Sequence, residues 1–205
     1  MIVADNGSTD GTARVARERG AQVISEPRRG YGYACLAGIA SLPAEAEIAA
    51  FLDADYSDYP AELGDLLSTL VAHRADLVVG SRVLGHREKG SLTPQQRIGN
   101  WLSTRLIRQL YGYAYTDLGP FRAIRVEALR RLGMRDCTYG WTVEMQVKAL
   151  QQGMKVAEIP VRYRKRIGAS KVSGTVSGSF KAGVKILWTI GRLAVTMAKP
   201  EVGGK

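Results

Sequence analysis

The stretch IAAFLDADYSDYP, Ile48–Pro60, runs an apolar segment straight into three aspartates, Asp53, Asp55 and Asp58. Ile48–Phe51 has the character of a short buried strand, and Pro60 suits the first position of a following helix. Carboxylates this close repel one another, and burying them unpaired is costly. The strand therefore ends either in a solvated turn, with Asp58 capping the helix after Pro60, or at a cation. Asp53 and Asp55 flank Ala54, so an extended backbone points both toward one side. One divalent ion could take an oxygen from either or both and keep positions for phosphate oxygens. Mg²⁺ or Mn²⁺ suits such hard ligands, and nothing nearby offers the thiolates or paired imidazoles that zinc prefers.

Working outward, strand-like and helical segments alternate. Met1–Ala4 and Ala21–Ser25 read as strands around a helix over Thr12–Arg19, and Gly30–Leu42 has helical spacing. A helix is expected from Pro60 to about His73, then a buried strand in DLVVGSR (Asp76–Arg82). Beyond it come a helix over Pro94–Leu110, a strand near Phe121–Ile124, and helices over Val126–Leu132 and Thr142–Gln152. KVAEIPVRY (Lys155–Tyr163) reads as a strand, RKRIGASKVSGT as a loop, and Val176–Met197 as an amphipathic helix. This alternation predicts an α/β fold, a mainly parallel sheet with helices on both faces. In such sheets ligands bind at the carboxyl ends of strands. DNGSTD, DADYSD and GSR all fall there.

At 205 residues the chain can bury one sizeable core. Its net charge of +10 is unevenly placed. From Val161 onward ten basic residues face only Glu201, whereas Ala44–Leu66 carries seven acids and no Lys or Arg. A basic end predicts an anionic partner: nucleic acid, a phosphorylated ligand or an anionic membrane. Nucleic acid fits poorly, because aromatic residues do not interleave with the basic tail as a stacking platform requires. Cys35 and Cys137 form no CxxC pair and read as reduced thiols. No signal peptide is legible at the start. The apolar run Ile186–Ala198, broken by Arg192, is too short and too charged to span a bilayer.

Two further motifs carry polar chemistry. DNGSTDGT (Asp5–Thr12) is either an Asx-rich turn and helix cap or a set of donors and acceptors for a nucleoside. GYGYA (Gly30–Ala34) could let helix-start amides approach a phosphate, although it lacks the full GxGxxG pattern. Taken in order, IVADNGSTDGT, RRGYGYACLAG, FLDADYSDYP, VVGSR, DLGPFRAI, GWTVEMQVKA and RKRIGASKVSGT resemble family 2 glycosyltransferases. The branch is the one resembling dolichyl-phosphate and polyprenyl-phosphate mannosyl- and glucosyltransferases, and the likeness covers essentially the whole chain.

That resemblance implies a GT-A nucleotide-sugar-binding sandwich over residues 1–165, with a basic loop and an amphipathic helix over 166–205. It implies an inverting, metal-dependent transfer of a mannose- or glucose-type sugar from a nucleotide diphosphate to a polyprenyl or dolichyl phosphate. Asp5, Asn6, Gly30 and Gly32, with Arg166, Ser170 and Lys171 of the RxxGxSK segment, fall at nucleotide-sugar-binding positions. Asp53 and Asp55 match the metal-binding DxD, with Ser57 at a place where relatives often have Gln as a further metal contact. Arg82 and Arg97 fall where relatives hold the acceptor phosphate. Arg122 matches the arginine of the GFRA motif near the active site, and Glu144 is a candidate acceptor-side or catalytic acid whose alternative is a helix-surface carboxylate. His73 and His86 read as surface residues, and a phosphate acceptor, already anionic, requires no strong general base. The implied location is cytoplasmic, peripheral at the inner face of the membrane. Relatives carry one further βα unit before the DDGS-type strand, so the sheet is expected to lack a central strand and to expose an edge. Two other readings stay open: a non-catalytic remnant that binds polyprenyl phosphate or a membrane, and a sugar-phosphate nucleotidyltransferase. The latter would need a Gly-rich, Lys/Arg-containing signature near the start, which is absent.

Overall fold

The computed structural model describes residues 1–168 and 176–197. Strand β1 (Ile2–Asp5) is followed by α1 (Thr12–Glu18), β2 (Gln22–Ser25), α2 (Tyr31–Ala40) and β3 (Ile48–Phe51). A 3₁₀ turn at Pro60–Glu62 leads into α3 (Leu63–Ala72) and β4 (Leu77–Ser81). Then come α4 (Pro94–Tyr111), β5 (Arg122–Arg125), α5 (Val126–Leu132), α6 (Trp141–Gln151), β6 (Val156–Pro160) and α7 (Val176–Met197). The α/β alternation predicted from periodicity is present, and two helices, α5 and α7, begin and end where the spacing places them.

Local chemistry accounts for several boundaries. The Thr93 hydroxyl accepts the Gln96 amide at 3.2 Å while the Gln96 side chain accepts the Thr93 amide at 2.8 Å, a reciprocal cap that starts α4. Gly112 (φ 75°) ends α4 and Gly133 (φ 54°) ends α5, in a left-handed conformation that a side chain disfavours. At the end of β4 the Ser81 hydroxyl accepts the amides of Val83 and Leu84 and turns the chain toward the site.

β4 lies inside a four-stranded sheet of order β3-β5-β4-β6. It runs parallel to β6 and antiparallel to β5, and β5 is also antiparallel to β3. The sheet is thus mixed, and β5 is the strand that reverses direction. β1 and β2 pair in parallel as a separate two-stranded sheet. Among the described residues β1 pairs only with β2 and β3 only with β5, so each keeps an open edge.

Both faces of β4 are covered, which is why its sequence shows no polar alternation. Leu77 and Val79 enter a core formed with Ile107, Ile124, Trp141 and Ile190, while Val78 enters a second core with Leu66, Leu70 and Phe121. Each fully buried Leu in these cores contributes about 2 kcal/mol of transfer free energy. The outcome is a rigid platform that holds the carboxyl ends of β3 and β4, whose directions agree, on one edge.

Candidate active site

Past Phe51 the chain leaves the strand and bends over residues 54–56, yet burial alternates: Leu52, Ala54 and Tyr56 face solvent while Asp53, Asp55 and Ser57 turn inward. Tyr56, in the left-handed region at φ 73°, reverses the loop. Asp58 does not cap the turn after Pro60. Its Oδ2 instead accepts the Asp53 amide at 3.1 Å, across the aspartate loop. The Ser57 amide donates to Asp55 Oδ1 at 3.0 Å, and the Ser57 hydroxyl donates to the same oxygen. Ser57, expected as a metal contact, is fully buried and employed in orienting Asp55.

The segment after β6 braces this loop from outside. The Arg164 amide donates to the Ser57 carbonyl at 3.0 Å, the Ile167 amide to the Asp55 carbonyl at 2.9 Å, and Arg164 stacks 3.2 Å over the Tyr56 ring. Arg166 then reaches back to Asp55 Oδ2 at 3.0 Å. Burial raises the Asp53 pKa, the Asp55 charge raises it further, and Arg82 and Arg166 offset part of the rise. Burial also pushes Asp58 up to about 7, and its Oδ1 has no hydrogen-bond partner. Two inward carboxylates that repel each other, with hard oxygen donors and a guanidinium already drawn in, fit a divalent cation. Among the described residues no group of three or more His, Cys, Asp or Glu could enclose such an ion. An ion here would complete its shell from ligand or water oxygens.

Asp5, Asn6, Gly30 and Gly32 come together as a second group. Asn6 donates to the carbonyls of Glu26 (2.9 Å) and Arg28 (2.7 Å), and its Oδ1 accepts the Gly30 amide at 2.9 Å. Asp5 Oδ1 accepts the Ser8 amide at 3.0 Å. The Gly30 amide is therefore already engaged and is not presented to a phosphate. Both glycines serve close packing instead: a Cβ on Gly30 would collide with the Cys137 carbonyl oxygen, and one on Gly32 with that of Asp136.

Arg82 is not a free anion hook. Its Nε and one terminal nitrogen each lie 2.7 Å from the two oxygens of Asp117, whose side chain is wholly buried. Burial works against the Arg82 charge, but Asp117 outweighs it and holds the guanidinium ionised. Arg97 is exposed and lines a cavity of about 570 Å³ with Val83, Arg87, Leu92, Asn100 and Trp101. Two arginines over a wall that is largely apolar, with Asn100, Thr104 and Thr116 among its lining, suit an amphiphile with an anionic head. Arg122 lies below the surface, fully buried, donating to the carbonyls of Thr142 (3.0 Å) and Gly119, with its Nε unpaired. Burial lowers its pKa.

Glu144 is neither a surface carboxylate nor open to a ligand. It is 1% exposed, accepts the amides of Arg135 (3.1 Å) and Asp136 (2.7 Å), and pairs with Lys148 at 2.7 Å. Ser170 and Lys171 lie outside the described residues. His73 and His86 are exposed. The sequence reading did not single out Asp117, Arg87 or Asp136. Asp117 sits in the quoted motif DLGPFRAI, but its partner lies 35 residues earlier, so no local signal could mark the pair.

Helix α7 divides by face. Thr189, Ile190 and Leu193 are buried, whereas Lys181, Val184, Trp188, Arg192 and Val195 share an exposed stripe at helical spacing. Ile98, Trp101, Leu102 and Arg105 are exposed on α4, which packs against α7. No helix among the described residues is long and apolar enough to cross a membrane.

Comparison with known proteins places this geometry in context. The model of glycosyl transferase family 2 matches residues 1–133. A glycosyltransferase of Mycobacterium tuberculosis, itself uncharacterized, is 40% identical over 183 residues, 88% of this chain and 81% of the relative. A dolichyl-phosphate hexose transferase of Haloferax volcanii is 30% identical over 179 residues, 87% of this chain and 76% of the relative. Among solved structures, glucosyl-3-phosphoglycerate synthase from M. tuberculosis in complex with Mn²⁺, UDP and glucosyl-3-phosphoglycerate matches with a TM-score of 0.74 at 20% identity. That match covers 98% of this chain and 70% of that one, and it establishes a shared fold.

Proposed function

The chain belongs to the family 2 glycosyl transferases, and on that premise we propose that it moves a hexosyl group, with inversion, from a nucleotide diphosphate sugar to a polyprenyl phosphate. The observation that carries the reading is the inward pair Asp53 and Asp55 at the end of β3, with Arg166 paired to Asp55; an arginine-lined cavity follows β4. Asp53 and Asp55 hold Mg²⁺ or Mn²⁺, which when bound neutralises charge on the leaving diphosphate. Asp5 and Asn6, locked against the start of α2, form the floor for the nucleoside. Arg166, one ion pair away from Asp55, adds positive charge beside the diphosphate.

Arg97 and Arg87 receive the acceptor phosphate at the cavity, while its chain lies along Val83, Leu92, Ile98 and Trp101. Arg82, fixed by Asp117, contributes field rather than direct contact. The acceptor is already an anion, so no strong general base is needed. The exposed apolar and cationic stripe of α7 rests on an anionic membrane surface, consistent with a peripheral enzyme at the cytoplasmic face.

Transfer of labelled hexose from GDP- or UDP-sugars to a polyprenyl phosphate, assayed with Mn²⁺, tests the proposal. Activity that vanishes in Asp55→Asn is the expected result. Label that moves equally well in Asp55→Asn, or only to water-soluble acceptors, would refute it. The open edges of β1 and β3 favour one second reading, a protein that binds nucleotide and lipid without turnover. Manganese-dependent nucleotide binding with no transfer to any acceptor would establish it.

A further inference from the structure

The contacts of the buried Glu144 carboxylate lead to the nucleotide side of the site. It accepts the amides of Arg135 at 3.1 Å and Asp136 at 2.7 Å, from the first turn of α6, and Lys148 completes it at 2.7 Å. Those amides belong to the turn at Asp136–Cys137. The carbonyls of that turn meet the opening of α2: Cys137 O accepts the Tyr33 amide at 3.0 Å, and the Asp136 and Cys137 carbonyls leave no room for a Cβ on Gly32 or Gly30. Gly30 in turn donates to Asn6 at 2.9 Å. A second clamp arrives from α7, where Lys185 pairs with Asp136 at 3.0 Å. The Thr138 amide adds to it at 2.8 Å, so that burial of Asp136 is outweighed and its pKa falls below the usual range.

We infer that Glu144 is a positioning residue for the donor nucleotide. It fixes the Asp136–Cys137 turn, and the turn sets where α2 begins and hence where Asn6 and Asp5 stand. Packed elements transmit such displacement because interiors are close-packed. The inference rests on the reading of Asp5, Asn6 and the start of α2 as the nucleotide floor. It goes beyond that reading by making the floor depend on α6 and, through Lys185, on α7.

Two measurements on the full chain decide it. Glu144→Gln keeps size and one acceptor oxygen but removes the charge and the Lys148 pair. Its Tyr33 amide should exchange with solvent at least about tenfold faster than in the parent. Its affinity for GDP or UDP, each titrated with Mn²⁺, should fall about tenfold or more, the scale expected of a sub-ångström to ångström misplacement. The acceptor KM should stay unchanged, which a general loss of structure would not permit. Glu144→Asp, which restores the charge, should recover part of the nucleotide affinity. Unchanged exchange at Tyr33, or exchange that rises with nucleotide affinity intact, overturns the inference. Should Glu144→Gln fail to fold, Lys185→Met carries the decision, with the same direction and a smaller loss expected and no change counting against. A parent protein that binds neither nucleotide would defeat the functional reading, while the Tyr33 exchange would still decide whether Glu144 governs α2.

Discussion

Removing the carboxylate of Asp117 should be among the costliest single changes this fold can suffer. Its two oxygens accept four donors: the Arg82 amide (2.8 Å), Arg82 Nε (2.7 Å), an Arg82 terminal nitrogen (2.7 Å) and the Leu118 amide (2.8 Å). The Asp117 side chain is 0% exposed and that of Arg82 only 13%. Asp117→Ala therefore strands a guanidinium with little water to replace its partner, a loss of about 3–5 kcal/mol. Against a total stability of about 5–15 kcal/mol this is a large share. With a urea slope near 2 kcal/mol/M, the unfolding midpoint should drop by about 2 M, read from tryptophan fluorescence. The penalty comes from the unpaired charge rather than from the lost attraction. The double variant Arg82→Met/Asp117→Leu should therefore be more stable than Asp117→Ala alone. A single variant within about 1 kcal/mol of the parent, or a double variant no better than the single, would refute this account of the pair.

Other expectations follow from the same geometry. Arg166 occupies one side of Asp55, so Arg166→Gln should bind Mn²⁺ alone more tightly yet bind the Mn²⁺–nucleotide pair more weakly; calorimetry showing both changes in one direction would contradict the assignment. The α7 stripe predicts binding to vesicles containing phosphatidylglycerol but not to neutral ones, with binding lost in Trp188→Asp; retention by that variant argues for a different contact face. The Arg28 side chain, 2.8 Å from Glu26 at its Nε, and the Arg28 amide hold the Glu26 pKa down to about 2, against an ordinary 4.5. A carboxylate with a lowered folded pKa stabilises the native state above pH 4.5, and that contribution is lost as pH falls toward 2. Glu26→Gln should flatten the acid limb of the stability curve in that window, and an unchanged limb would show that the pair contributes nothing.

What the sequence by itself determined is local. Hydrophobic period and Gly and Pro positions place β4, α4, α5 and α7 because each signal lies within a few residues of the element it shapes. That Asp53 and Asp55 share a side is legible in the sequence as a two-residue repeat, but the bend at residues 54–56 that presents them is braced by the Arg164 and Ile167 amides from the segment after β6. Tertiary structure alone decided the remainder. Gly30 and Gly32 look like phosphate-approach glycines, but a turn 107 residues after Gly30 is what requires them to lack side chains. Arg82 reads as an anion hook until Asp117 closes on it, and Glu144 reads as a surface acid until the Arg135 and Asp136 amides bury it. The reversal of β5 and the open edges of β1 and β3 belong to strand pairing. A charge or a backbone amide has no fixed role until folding supplies its partner, and partners far apart in the chain leave no pattern in the sequence between them.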